Sequence, residues 1–211
     1  MISTIGVVTS GGDSPGMNAA ARAVVRTAIS EGVRIFGVYG GYTGLLDGDI
    51  KELSTRSVSD LIQRGGTFLG TGRSKRFHTE EGRKAAMEKL KEHGIEGLVV
   101  IGGDGSLTGA AHLSRHGMPI VGLPATIEND VWGTDYTIGA DTAANTVLEA
   151  INKLRDTASA HRRIILIEVM GKKSGWLAMM AGVAGGAEYV LVPEVKYDLD
   201  EICTEIMDAY E

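Results

Sequence analysis

The sequence predicts an α/β fold with a mainly parallel sheet. Three observations lead there. Strand-like and helix-like segments alternate along the whole chain. The strand-like runs are short and continuously apolar, as expected when both faces of a sheet are covered. Glycine accounts for 30 of 211 residues, about twice the usual share of ~7%, and it gathers at the ends of apolar runs. Those are the places where backbone turns tightly or approaches a ligand. A parallel sheet takes its ligands at the carboxyl ends of its strands.

The elements follow in order. Thr4–Ser10 reads as a strand, Gly11–Asn18 as a loop and Ala19–Glu31 as a helix. Val33–Tyr39 is a second strand. Ser57–Arg64 is expected to be a short helix before the Gly-rich turn Gly65–Gly72. Glu80–His93 has helical spacing and meets Gly94, a natural C′ residue. Leu98–Ile101 is a strand, Ser106–His116 a helix and Ile120–Leu123 a strand. Gly139–Ala158 repeats its apolar residues near a 3.6-residue period and reads as a long helix. Ile164–Val169 and Tyr189–Val192 are expected strands on either side of a helix, Trp176–Ala184. Asp198 opens a final helix, Leu199–Tyr210.

Composition narrows the function. Lys+Arg number 21 and Asp+Glu 27, a net charge of −6, which disfavours a dedicated nucleic-acid binder. The single cysteine, Cys203, excludes a disulfide framework and a Cys-based zinc site. No apolar run reaches the ~20 residues of a membrane span. The start, MISTIGVVTSGGD, lacks a basic n-region and runs into a strand, so it does not read as a signal peptide. A cytoplasmic enzyme is the expected class.

Three strand-to-helix junctions are rich in glycine, in acid or in both: Gly11–Asn18, Gly102–Ser106 and Pro124–Asp130. Adjacent glycines let backbone N–H groups approach a phosphate, and the helix that follows favours negative charge. None matches the P-loop pattern or the dinucleotide fingerprint. Asp104 stands where phosphate would bind; it either caps the next helix or holds a Mg²⁺ ion that bridges to phosphate. Glu128 and Asp130 either close a capped turn or serve proton transfer from a substrate hydroxyl. Arg73, Lys75 and Arg76 end a Gly-rich loop, as a phosphoryl clamp or as a solvated turn. The five histidines show no metal-ligand spacing.

Taken together, these stretches resemble the phosphofructokinase family, and its bacterial ATP-dependent type in particular. They are TSGGDSPGMNAAARAVVR, RGGTFLGTGR, VVIGGDGSLTGA, GLPATIENDVWGTDYTIGADTA, HRRIILIEVMGKKSGWLA and GAEYVLVPE, in order across nearly the whole chain. The resemblance implies two similar three-layer sandwich domains with mainly parallel sheets. Residues 1–138 would bind ATP, and 139–211 would form part of a sugar-phosphate domain, incomplete here because the family's chain is longer. It implies transfer of the ATP γ-phosphate to the 1-hydroxyl of fructose 6-phosphate by a cytoplasmic homotetramer. Gly12, Arg73, Ser74, Gly103, Asp104, Gly105 and Ser106 would contact ATP, with Asp104 on Mg²⁺. Thr126, Ile127 and Glu128 would lie at the sugar hydroxyl, with Glu128, Arg73 and Thr126 as the catalytic group. Met170, Gly171 and Lys172 would hold the sugar phosphate, joined by Arg163 from a neighbouring subunit. Arg22, Arg26, Arg155, Gly186, Ala187 and Glu188 would bind ADP or phosphoenolpyruvate as effector. Three positions depart from the family pattern: Glu128 stands for its aspartate, Lys172 for an arginine and Thr55 for an effector-site arginine. A ligand-binding subunit without turnover, or a pyrophosphate-dependent relative, is the alternative reading.

Overall fold

A computed structural model describes residues 2–210, with the side chains of residues 209 and 210 not described. Met1 and Glu211, the outer ends of the two expected domains, lie outside the described residues. The chain divides into two compact units, Met1–Thr126 with Val131–Gly139 and Ile127–Asp130 with Ala140–Glu211.

The first unit is built on six strands: β1 (Thr4–Ser10), β2 (Arg34–Val38), β3 (Ile50–Glu52), β4 (Gly97–Gly102), β5 (Ile120–Thr126) and β6 (Ile138–Gly139). Their order across the sheet is β3-β2-β1-β4-β5-β6. Every neighbouring pair is parallel except β2–β3. Alternate side chains point to opposite faces of a strand, and both faces are covered. Val8, Phe36, Val38, Leu98 and Val100 pack with residues of α2 (Gly41–Asp47), α3 (Glu80–Glu92) and α4 (Asp104–Arg115). Val7, Ile35 and Ile101 pack with Met17, Ala21, Val25 and Ala28 of α1 (Met17–Ser30). The result is a three-layer sandwich.

Local chemistry accounts for the helix ends. Thr79 caps α3, its hydroxyl accepting from Gly82 N at 3.0 Å. Glu80 and Glu81 occupy the first turn and Lys89 and Lys91 the last, matching the helix dipole. Gly94, at φ 64°, turns the chain out of the helix.

The second unit holds α5 (Ala140–His161), α6 (Trp176–Gly185) and α7 (Leu199–Tyr210). Gly185 of α6 lies against Ile151 of α5. Asp198 opens α7 by accepting from Asp200 N at 2.9 Å.

Three expected elements are corrected. Ser57–Arg64 is not a helix; a 3₁₀ turn covers Arg56–Val58 alone, and Asp60 at φ 51° breaks the helical path. The runs Ile164–Val169 and Tyr189–Val192 form no strands. A strand needs a hydrogen-bonded ladder as well as apolar residues, and among the described residues no strand pairs with either run. Ile164 is 57% and Leu166 90% exposed accordingly. The sequence reading also passed over α2, β3, β6 and a 3₁₀ turn at Arg76–His78.

Candidate active site

The sheet order places a topological switch point between β1 and β4. The crossover from β1 leads to β2 on one side, and that from β4 leads to β5 on the other. Ligand crevices form at the carboxyl ends of such a strand pair. Two of the three predicted junctions, the glycine-rich ones, begin there, since Ser10 and Gly102 are register partners. The turns are packed too closely for side chains. A Cβ on Gly102 would lie 2.5 Å from Ser10 O, and one on Gly11 would lie 2.9 Å from Ser106 Oγ.

Gly103 is the N-cap of α4 and supplies no side-chain cap. Asp104 is therefore the first residue of the helix rather than its cap, which decides one of its two sequence readings. Its exposed carboxylate meets the positive end of the helix dipole. Gly12 and Gly105 are exposed, with nothing within 4 Å of a Cβ placed on either. Ser106 is buried. Thr126 ends β5 beside this turn, since a Cβ on Gly103 would stand 3.4 Å from Thr126 Cβ. Thr137 donates to Thr126 O at 2.7 Å and fixes the strand end.

The cations of the Gly70–Arg76 loop separate in role. Arg76 pairs with Asp47 at 2.5 Å. Arg73 is exposed, and among the described residues its guanidinium has no ion-pair partner. Ser74 is buried, and its hydroxyl accepts from Phe77 N at 3.4 Å, opening the following 3₁₀ turn. Ser74 is thus structurally engaged, whereas Arg73 points its charge to solvent.

Tyr42 was missed in the sequence. Its buried hydroxyl donates to Ser106 O at 2.7 Å, and its ring stacks on Phe77 at 3.9 Å and 4°. It therefore ties the first turn of α4 to the turn that follows Arg73. Burial pushes its hydroxyl pKa above the usual phenol range, so it stays a donor. The one signal available was a tyrosine among glycines directly after a strand.

In the second unit, Ile127, Glu128 and Asn129 are half-buried. Asn129 takes a left-handed conformation at φ 48°. Ser174 donates to Glu128 O at 2.9 Å and so ties the Glu128 peptide to the segment carrying Met170, Gly171 and Lys172. Met170, Lys172 and Arg163 are exposed, and Gly171 sits at φ 155°. Arg155 donates to Gly185 O at 3.0 Å, and a Cβ on Gly186 would lie 3.0 Å from its Nη1. Two predicted effector residues, Arg155 and Gly186, are therefore adjacent. Ala187 N closes on Gly182 O at 2.9 Å, and Glu188 is exposed. In the first unit, Arg22 is half-buried and Arg26 exposed on α1.

The residues fit Mg²⁺ in one way. Among the described residues no cluster of three or more acids, histidines or cysteines could cage a metal. An exposed carboxylate at a helix N-terminus, such as Asp104, suits a cation that keeps waters and binds mainly through substrate phosphates. No helix among the described residues is long and apolar enough to cross a membrane.

Known proteins share this arrangement. A family model described as "Phosphofructokinase" matches residues 4–211. An "ATP-dependent 6-phosphofructokinase" of Halalkalibacterium halodurans is 57% identical over 98% of the chain, which spans 65% of that relative's length. A phosphofructokinase structure from Saccharomyces cerevisiae superposes with a TM-score of 0.86 at 43% identity, covering 98% of this chain and 32% of that one. The Pichia pastoris phosphofructokinase in the T-state gives 0.92 at 40% identity, covering 99% and 24%.

Proposed function

The chain belongs to the phosphofructokinase family, and from that premise we propose that it acts in an ATP-dependent 6-phosphofructokinase. The reaction moves the γ-phosphoryl group of ATP to the 1-hydroxyl of fructose 6-phosphate. The bond from the γ-phosphorus to the β–γ bridging oxygen breaks, and a bond to the sugar oxygen forms. The products are ADP, fructose 1,6-bisphosphate and a proton. The observation that carries this reading is the nesting of the Gly11 and Gly103 turns at the switch point, one of them bearing Asp104.

The residues divide the work. Backbone N–H groups at Gly12, Gly103, Asp104 and Gly105 bind phosphate oxygens at the N-terminal end of α4, while Ser106 closes the turn beneath them, its N–H donating to Gly103 O at 3.0 Å. Arg73 meets the charge of the transferring group, where electrostatic stabilisation does most of the catalysis. Asp104 would hold Mg²⁺, which when bound neutralises phosphate charge. Glu128 takes the proton of the attacking hydroxyl, and Thr126 orients that hydroxyl. Ile127 lies with them at the hydroxyl, and Met170, Gly171 and Lys172 hold the sugar phosphate; Lys172 keeps the charge of an arginine without its two-pronged geometry. Arg163 completes that site from a neighbouring subunit of a cytoplasmic homotetramer, and Arg22, Arg26, Arg155 and Gly186–Glu188 receive ADP or phosphoenolpyruvate.

Turnover of fructose 6-phosphate with ATP, read as ADP release, tests the reading. Ligand binding without ADP release would favour a non-catalytic subunit. A faster reaction with pyrophosphate would overturn the choice of donor. Gly105→Asp sharpens that test, because open space around Gly105 lets the variant fold unchanged. Its carboxylate adds negative charge beside the nucleotide phosphates. The KM for ATP is expected to rise by at least about tenfold, or about 1.4 kcal/mol, with no change in Tm.

The shared role of Arg163 makes activity depend on assembly. Specific activity should fall as the protein is diluted through its dissociation range, followed by light scattering. A monomer with full affinity for fructose 6-phosphate would contradict the subunit-sharing part of the proposal.

A further inference from the structure

Residues 64–72 run across the carboxyl ends of β1 and β2 with no regular secondary structure. Gly66 and Gly70, at φ 71° and 66°, make them sharply turned. Without a ladder, a segment of this kind would be expected to wander. Buried side chains from β1 and α1 hold it instead. Asn18, 3% exposed, donates to Arg64 O at 3.0 Å and Gly65 O at 3.2 Å and accepts from Phe68 N at 2.8 Å. Thr9, 0% exposed, lies 2.8 Å from Gly70 O and 2.8 Å from Thr67 Oγ1. A carbonyl only accepts, so Thr9 donates to Gly70 O and accepts a hydrogen bond from the Thr67 hydroxyl. Thr71 donates to Gly11 O at 2.7 Å, and Ser10 to Gly72 O at 3.3 Å.

These bonds run from the strand and the helix on either side of the Gly11 turn to the segment that ends in Arg73. Buried polar networks with every member satisfied are rigid. We propose that Thr9 and Asn18 are positioning residues for phosphoryl transfer. They set the place of the Arg73 guanidinium relative to the Gly11 turn. The inference rests on the phosphoryl-transfer reading of the site. It adds a role for two side chains that are themselves shielded from solvent. A purely structural staple would lower stability alone; a positioning pair alters the chemical step, because a displacement of ~1 Å can cost ~10²-fold in rate.

Thr9→Val keeps the shape and removes the hydroxyl, and Thr9→Ser restores it. In the full chain, Thr9→Val is expected to lower kcat by at least about tenfold, with KM for ATP unchanged, and Thr9→Ser to recover the parental rate. Parental kcat in Thr9→Val, or a Thr9→Ser variant as slow as Thr9→Val, would overturn the proposal. Should Thr9→Val fail to fold, Thr67→Val removes the donor to Thr9 from the half-buried loop side. A threefold or larger drop in kcat is then expected, and none would overturn the proposal. If the parental chain shows no turnover at all, the phosphoryl-transfer reading fails, and amide exchange then judges the positioning separately. Thr9→Val must speed exchange within residues 66–73 and spare β1 and β4. No change, or an equal change everywhere, overturns it.

Discussion

Glu128→Gln is expected to lower kcat by about 10²- to 10⁴-fold, the usual contribution of a general base, while ATP binding stays intact. The change removes the proton acceptor and keeps the shape. It leaves the bond from Ser174 Oγ to Glu128 O, at 2.9 Å, in place because that bond uses the backbone. Loss of rate without loss of folding is therefore the expected signature. Rate measured beside calorimetric ATP binding checks it. A Gln variant with most of its activity would transfer the role of base to Asp130 or to a water. Glu128→Asp probes reach, since it draws the carboxylate back by one methylene. In a peptide pinned by Ser174 and by Asn129 at φ 48°, the backbone has little freedom to follow. A change in kcat of up to ~10²-fold in either direction would tell whether the loop is shaped for glutamate.

The second large effect is on stability. In Gly44→Ala the new Cβ would fall 1.5 Å from Tyr39 O. That oxygen belongs to the backbone leaving β2, so no side chain can swing aside to relieve the overlap. The helix α2 would have to move, and with it Gly41, whose own Cβ position lies 2.8 Å from Gly72 N. A loss above ~4 kcal/mol is expected, in the range reserved for forced backbone clashes. The corresponding drop in Tm is on the order of 10 °C. Gly65→Ala is the control, because nothing lies within 4 Å of its Cβ position. Calorimetry showing similar Tm values for the two variants would refute the packing argument.

Strands β1, β2, β4 and β5 of the first unit and its glycine turns were legible because continuous apolar runs and Gly-Gly pairs are local signals; the three- and two-residue strands β3 and β6 are too short to carry such a run. Helix α2 was not, since its segment contains Gly41, Gly44 and Gly48 and reads as a string of breakers. Gly41 and Gly44 serve close packing, which only the tertiary arrangement reveals, and Gly48 at φ 77° ends the helix. The runs Ile164–Val169 and Tyr189–Val192 failed for the opposite reason: propensity was present and ladder partners were not. In the site, Arg73 and Asp104 stood out because charge among glycines is unusual. Tyr42, Thr9 and Asn18 did not, because their roles depend on bonds spanning 46 to 64 positions of sequence.

The alternation of segments around Thr126 bears on how such a protein can be recombined. The chain leaves one compact unit after Thr126, returns at Val131 and leaves again after Gly139. No single crossover point in a gene divides it cleanly. A chimera joined between residues 127 and 136 would take Thr126 and Ser14 from one parent and their hydrogen-bonding partners, Thr137 and Ile138, from another. Shuffled libraries should therefore recover function when Val131–Gly139 come from the same parent as Met1–Thr126, and Ile127–Asp130 from the same parent as Ala140–Glu211. The unit of inheritance is set by packing rather than by the order of residues along the gene.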